Sequence, residues 1–194
     1  DRQIVLVDVL RALSDGPAAL SDLEQAMGDI LQSFRPGRNG LLQEIFLGKR
    51  VERILFAATK ADHLHHSQHP HLTGIVQAMV AQARNRADFH GALTTAMSIA
   101  ALRSTTETQV GQGLPAVQGI VAGTGTPTAY FPGSLPTAPD PLLAEARAGA
   151  DHWGGPGFAH MRFSPPRLNM GAGDGPPHIR LDKALQFLIG DKIS

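Results

Sequence analysis

The sequence contains no cysteine. That excludes disulfides and thiolate metal sites and agrees with a cytoplasmic location. Nor is there an excess of charge of either sign, because 17 Lys and Arg balance 17 Asp and Glu. Neither a nucleic-acid partner nor direct attraction to an anionic membrane is therefore expected. No apolar run approaches the roughly 20 residues that span a bilayer, and no secretory leader is visible, so direct membrane insertion is not expected either. An initiating Met is also lacking. The chain opens on Asp1-Arg2 and enters a strand at once, which reads as the C-terminal part of a longer protein whose remaining residues lie upstream.

What is present is enough apolar sequence, 42% of 194 residues, for a sizeable core. Ile4-Val5-Leu6-Val7 is a continuous apolar run ending in Asp8, as expected of a strand buried on both faces of a parallel sheet. Pro17 opens a helix in which Leu20, Leu23, Met27, Ile30, Leu31 and Phe34 recur at helical spacing, and Arg35-Pro36-Gly37 ends it. A shorter helical piece is expected over residues 41–46. Arg53-Ile54-Leu55-Phe56-Ala57-Ala58 is a second buried strand, followed by a helix with Leu72, Ile75, Val76 and Met79 on one face. A third, weaker strand is expected over residues 96–102. This alternation predicts an α/β fold with a parallel sheet and flanking helices. Residues 111–177 are rich in Gly and Pro and predict either short strands with ordered loops or a partly mobile insertion. Leu181, Ala184, Leu185 and Leu188 form the stripe of a closing helix, with Gly190 just past its end. The expected organisation is one half of an α/β domain over 1–110, a Gly/Pro-rich insertion over 111–177 and a closing helix over 178–194.

In open parallel sheets, ligands sit beyond the carboxyl ends of the strands. The second strand runs directly into Thr59-Lys60-Ala61-Asp62. An ionised carboxylate is acceptor-only and has two oxygens, so it can receive both the ring N1–H and the exocyclic amino group of guanine. Adenine offers no donor at N1 and would meet lone pairs with a lone pair. The aliphatic stem of Lys60 can lie along a purine face. Alternatively, Asp62 caps the next helix. Asp8, ending the first strand, suits Mg²⁺ held through water, or else bonds turn amides.

Three stretches carry a family resemblance. They are Asp1-Arg2-Gln3-Ile4-Val5-Leu6-Val7-Asp8-Val9-Leu10, the run from Arg53 through Thr59-Lys60-Ala61-Asp62-His63-Leu64-His65-His66, and Pro177-His178-Ile179-Arg180-Leu181-Asp182 with the helix that follows. Together they resemble the YcjX-like family of P-loop GTPases along the whole chain. The resemblance implies part of a Ras-like P-loop NTPase sheet, GTP/GDP binding with Mg²⁺, GTP hydrolysis by the full-length protein and a link to stress response. It also implies a membrane-protein partner that holds the protein at the inner membrane. Carried onto this sequence, Thr59, Lys60 and Asp62 match the base-reading motif, and His63 adjoins it. Leu102 supplies a backbone amide for the guanine carbonyl, and Asp8 corresponds to the Mg²⁺ carboxylate.

The sequence departs from that pattern in three places. Thr59 stands where Asn is commoner. Val9-Leu10-Arg11 follows Asp8 without the D-x-x-G spacing, and no G-x-x-x-x-G-K-S/T loop occurs anywhere. This piece is therefore expected to choose the base without hydrolysing GTP on its own. Two rival features remain. His65 and His69, within a cluster of five histidines, have a spacing that can bind zinc from one helix face, although Pro70 is expected to interrupt that helix. Trp153 and Tyr130 mark either a partner-binding surface of a non-catalytic interaction module or loop anchors.

Overall fold

Strand β2 (Arg53–Ala58) organises the molecule. In the computed structural model, which describes residues 2–33, 51–87, 92–154, 158–166 and 175–193, Ile54, Leu55, Phe56, Ala57 and Ala58 are all fully buried. Parallel partners flank β2 on both sides, β1 (Arg2–Val7) and β3 (Leu93–Ser98). Side chains alternate across a strand. Ile54, Phe56 and Ala58 accordingly join one core and Leu55 and Ala57 another. The continuous apolar run is thus explained by helices on both faces.

The larger core holds α1 (Val9–Asp15), α2 (Pro17–Ser33) and α3 (His69–Ala87). The sequence pattern did not foresee α1. It starts immediately after β1 because the Asp8 carboxylate accepts from the Arg11 amide at 3.3 Å, the bond of an N-cap. Gly16, at φ 108, ends it and Pro17 opens α2. Pro70 does not interrupt α3. It lies in the first turn, where its missing N–H has no intrahelical partner to lose. The expected end of α2 at 35–37 and the helical piece at 41–46 lie outside the described residues.

The third strand is displaced from its expected span. It covers Leu93–Ser98 and stops there because Ala100 leaves the parallel ladder and forms an antiparallel bridge with Ile179 (3.1 and 2.9 Å). Residues 99–104 are consequently a loop.

The described part of the Gly/Pro-rich stretch supplies a helix and, with the strand just before it, a second sheet. β4 (Thr105–Val110), β5 (Leu114–Ile120) and β6 (Pro127–Tyr130) form an antiparallel meander. Gly111 and Gly113, at φ 55 and 86, make its first turn. Helix α4 (Pro139–Arg147) then packs on α2 and α3, burying Leu143 and Ala146 in the larger core. Arg147 reaches the buried Glu24 of α2 at 2.9 Å. Helix α5 (Leu181–Ile189) covers the opposite face of the parallel sheet through Ala184, Leu181 and Phe187. Arg2 ties its end to β1 by bonding the Leu188 carbonyl and Asp191, and holds the Asp191 carboxyl down to about 2. Among the described residues no helix is long and apolar enough to cross a membrane.

Leu143 tests whether α4 belongs to the same cooperative unit as the parallel sheet. Leu143→Ala is expected to cost about 2–5 kcal/mol in denaturant unfolding of the full-length protein. Loss of less than about 1 kcal/mol would show α4 to be a separate, weakly docked element.

Candidate functional site

Where β2 ends, its neighbours hold the chain on both sides. The Thr59 amide donates to Val7 at 2.9 Å and the Ile99 amide to Ala58 at 2.8 Å. The backbone then turns sharply. Lys60 adopts the left-handed conformation at φ 61 and ψ 33, which costs a non-glycine residue about 1–3 kcal/mol. The turn brings the Ala61 amide to the Ile99 carbonyl at 3.0 Å and puts Asp62 in a single 3₁₀ turn facing the 99–104 loop.

Asp62 is only 4% exposed. A buried carboxylate needs donors. Ser104 supplies two, its amide at 2.8 Å and its hydroxyl at 2.5 Å, both to Oδ2. Oδ1 takes no hydrogen bond from the described residues. The Thr105 hydroxyl donates in turn to the Asp62 carbonyl. Asp62 therefore does not cap α3 but is clamped by the loop that leads into β4. Nothing in the spacing of Ser104, 42 residues downstream, marks it as this partner.

A cleft of ≈ 290 Å³ opens beside this carboxylate, near the lower end of the range for small-ligand sites. Thr59, Lys60, Asp62, His63 and Leu102 all line it, so the five cleft residues expected from the sequence come together. The amides of Ala101 and Leu102 have no partner among the described residues, whereas those of Ala100 and Arg103 are taken up by Ile179 and Pro177. Two adjacent cleft-lining residues thus carry amides without a partner among the described residues.

Two further side chains of the strand end are held by β1 and the residue after it. The Lys60 ammonium is not left to water but pairs with Asp8 at 2.6 Å. Asp8 thereby joins the site through Lys60 while also capping α1. The Thr59 hydroxyl turns to the Val7 carbonyl at 3.3 Å.

His63 lies under a cover from the segment after residue 157. His160 stacks on it with ring centroids 5.1 Å apart, and Phe163 meets it edge-on at 5.2 Å. Burial pushes the His63 pKa down, against the pull of the Asp62 carboxylate. Burial also drives His160 down to about 4, and the neighbouring charges of His63 and Lys60 act in the same direction.

The remaining histidines divide between structure and surface. His69 is buried. Its Nε2 donates to the Ala61 carbonyl at 2.8 Å, and its Nδ1 accepts from Arg180 at 3.2 Å. Both nitrogens are thereby used, which removes the zinc pairing of His69 with His65. His65 instead caps the short turn before α3, accepting from the Ser67 amide. With His66 it approaches Glu107, whose carboxylate already receives the His66 amide and ring and lies 3.8 Å from Arg103. Trp153 donates to the Leu13 carbonyl and Tyr130 to that of Ala159, at 2.8 and 2.7 Å. Both aromatics anchor loops.

These features define a class: a parallel α/β unit flanked by helices, consistent with part of a P-loop fold, with a cleft at the carboxyl ends of its strands and an antiparallel sheet beside it. Comparison with known proteins then gives the family. Residues 1–193 match the YcjX-like family, DUF463, and the chain belongs to that family. It is 36% identical over 197 residues to the Ras-like GTPase YcjX of Escherichia coli (strain K12). It is 35% identical over 199 residues to the Ras-like GTPase YcjX of Shewanella oneidensis. Each alignment covers 100% of this chain, which spans 40% and 39% of the respective relatives.

The histidine stack makes a pH prediction. A histidine whose folded pKa lies below its usual 6.5 contributes stability that is complete above pH 6.5 and is lost as pH falls toward about 4. The melting temperature of the full-length protein is expected to fall through this window, and His160→Phe to flatten the fall. An unchanged slope in His160→Phe would contradict it.

Proposed function

We propose that the cleft binds the base of a guanine nucleotide, GTP or GDP. In the full-length protein the cleft would serve Mg²⁺-dependent GTP hydrolysis, while residues outside this chain hold the phosphates. The observation that carries this reading is the Asp62 carboxylate, buried, fixed by Ser104 and, among the described residues, retaining an unbonded oxygen in a cleft also lined by two residues with unpartnered amides. Guanine has the complementary pattern: donors at N1 and the exocyclic amino group for the carboxylate, and a carbonyl at C6 for an amide of Ala101 or Leu102. The names of the two relatives support the same reading.

Structure refines the chemistry in one respect. Ser104 already gives Oδ2 two hydrogen bonds, so Oδ1 is the oxygen that takes the first guanine donor, and the second needs the Ser104 hydroxyl to turn away from Oδ2. Asp8 is a hard carboxylate of the kind that Mg²⁺ takes with water and phosphate oxygens, but its Oδ2 is paired with the Lys60 ammonium and its Oδ1 accepts from the Arg11 amide, so it would hold the ion only with Lys60 displaced. When bound, Mg²⁺ would supply charge neutralisation at the phosphates. Here Asp8 orients Lys60. Because the sequence has no G-x-x-x-x-G-K-S/T loop, the chain alone is expected not to hydrolyse GTP. The expectations of a stress-response role, a membrane-protein partner at the inner membrane and an insertion over 111–177 rest on the family and the sequence pattern.

In the full-length protein, Asp62→Ala is expected to weaken GDP by about 10- to 100-fold, the range for a hydrogen bond to a charged group, while ADP binding, already weak, changes little. Ser104→Ala should give a smaller loss in the same direction. Equal losses for GDP and ADP in Asp62→Ala would refute the base-reading role.

A further inference from the structure

The family motif accounts for one side of the cleft, the strand end and the 99–104 loop. The other side comes from residues 158–166, in the Gly/Pro-rich part of the chain, where Phe163 and Pro165 line the same cleft. This segment is fastened to the antiparallel sheet. The Ala122 amide donates to Arg162 at 2.9 Å, the Ser164 amide donates to Ile120 at 2.7 Å, and Phe163 bridges Val121.

Gly119 shows how closely Phe163 is fitted. A Cβ at this glycine would lie 2.7 Å from the Phe163 ring and 3.0 Å from the Ser104 carbonyl. The absent side chain is thus what lets the aromatic ring lie close over the β5 backbone at Gly119, a position that also passes near the carbonyl of Ser104, the residue that fixes Asp62. The Phe163 ring in turn meets His63 edge-on, and His160 stacks on the same imidazole. An aromatic group therefore stands within the cleft, next to the carboxylate and held from a different sheet.

We propose that Phe163 is a base-contacting residue, the apolar wall against which the purine packs, so that the antiparallel sheet contributes directly to nucleotide affinity. Gly119 is a positioning residue for it. An aromatic wall contacts any purine face or edge and does not depend on the donors at N1 and the exocyclic amine. Asp62 sets which base is chosen; Phe163 sets how tightly a purine is held. The inference rests on the nucleotide reading of the cleft and extends it to a segment that the base-reading motif does not include.

The test measures the affinity of the full-length protein for GDP, and for IDP, which lacks the exocyclic amino group. Wild type, Phe163→Leu, Gly119→Ala and Asp62→Ala are compared, with melting temperatures taken alongside. Phe163→Leu keeps an apolar group over Gly119 and should weaken GDP and IDP alike, by roughly two- to tenfold, with the GDP to IDP ratio unchanged. Gly119→Ala, which cannot touch the nucleotide itself, should reproduce that loss by displacing the ring. Wild-type affinity in folded Phe163→Leu, while Asp62→Ala still loses GDP selectively, would overturn the role of Phe163 and leave base reading intact. If wild type binds neither GDP nor IDP, both readings fall.

Discussion

Parallel pairing of three strands in register is the constraint on which the site depends. Val7, Ala58 and Ser98 stand level across the sheet, so the chain leaves all three strands at one edge. Backbone groups at that edge still require partners. They are met by continuing the ladder one step, Thr59 to Val7 and Ile99 to Ala58, and by the Ala61 bond to Ile99. That last bond forces the left-handed turn at Lys60. The strain there is local, and burial of the whole of β2 outweighs it: five fully buried residues include Ile54, Leu55 and Phe56, each worth about 1.5–3 kcal/mol.

Everything else at the cleft is a response to a carboxylate carried inward by this turn. Two hydrogen bonds to a charged group, about 1.5–3 kcal/mol each, offset the several kcal/mol that desolvation of an ion costs. Ser104 provides both, and β4 begins at the next residue. The antiparallel sheet is thus coupled to Asp62 through one serine, and through Gly119 and Phe163 to the same serine from the other side. The acceptor is fixed before any ligand arrives, so little ordering is left to oppose binding. Lys60 bonded to Asp8 adds a link between the Asp62 end of the cleft and the end of β1.

Local pattern made the parallel sheet legible in the sequence. The run Ile54 to Ala58 can hardly be other than a strand covered on both faces, and Thr59 to Asp62 directly after it places the motif at the strand's end. α1 was not legible because Val9-Leu10 reads as a continuation of the apolar run, and only the bond from Arg11 to Asp8 turns the chain into a helix there. The third strand was misplaced because Ala100 is as apolar as a strand residue but pairs with Ile179, far along the sequence. Ser104, His160 and Phe163 were missed for a related reason. Their contacts with Asp62 and His63 cross large sequence separations, and nothing in their own neighbourhoods signals them. The nearest clue was the crowding of glycine around residue 119, which marks close packing only once its neighbour is known.

The most direct measurement of the central claim exploits the donor–acceptor logic at Asp62. Asparagine at this position replaces one acceptor oxygen by an amino donor, which suits the C2 carbonyl of xanthine and not the amino group of guanine. Affinities of the full-length wild type and Asp62→Asn for GDP and XDP should therefore cross over, with wild type preferring GDP and the variant preferring XDP. Retention of the wild-type preference for GDP in a folded Asp62→Asn protein would contradict the assignment of Asp62 as the group that reads the base.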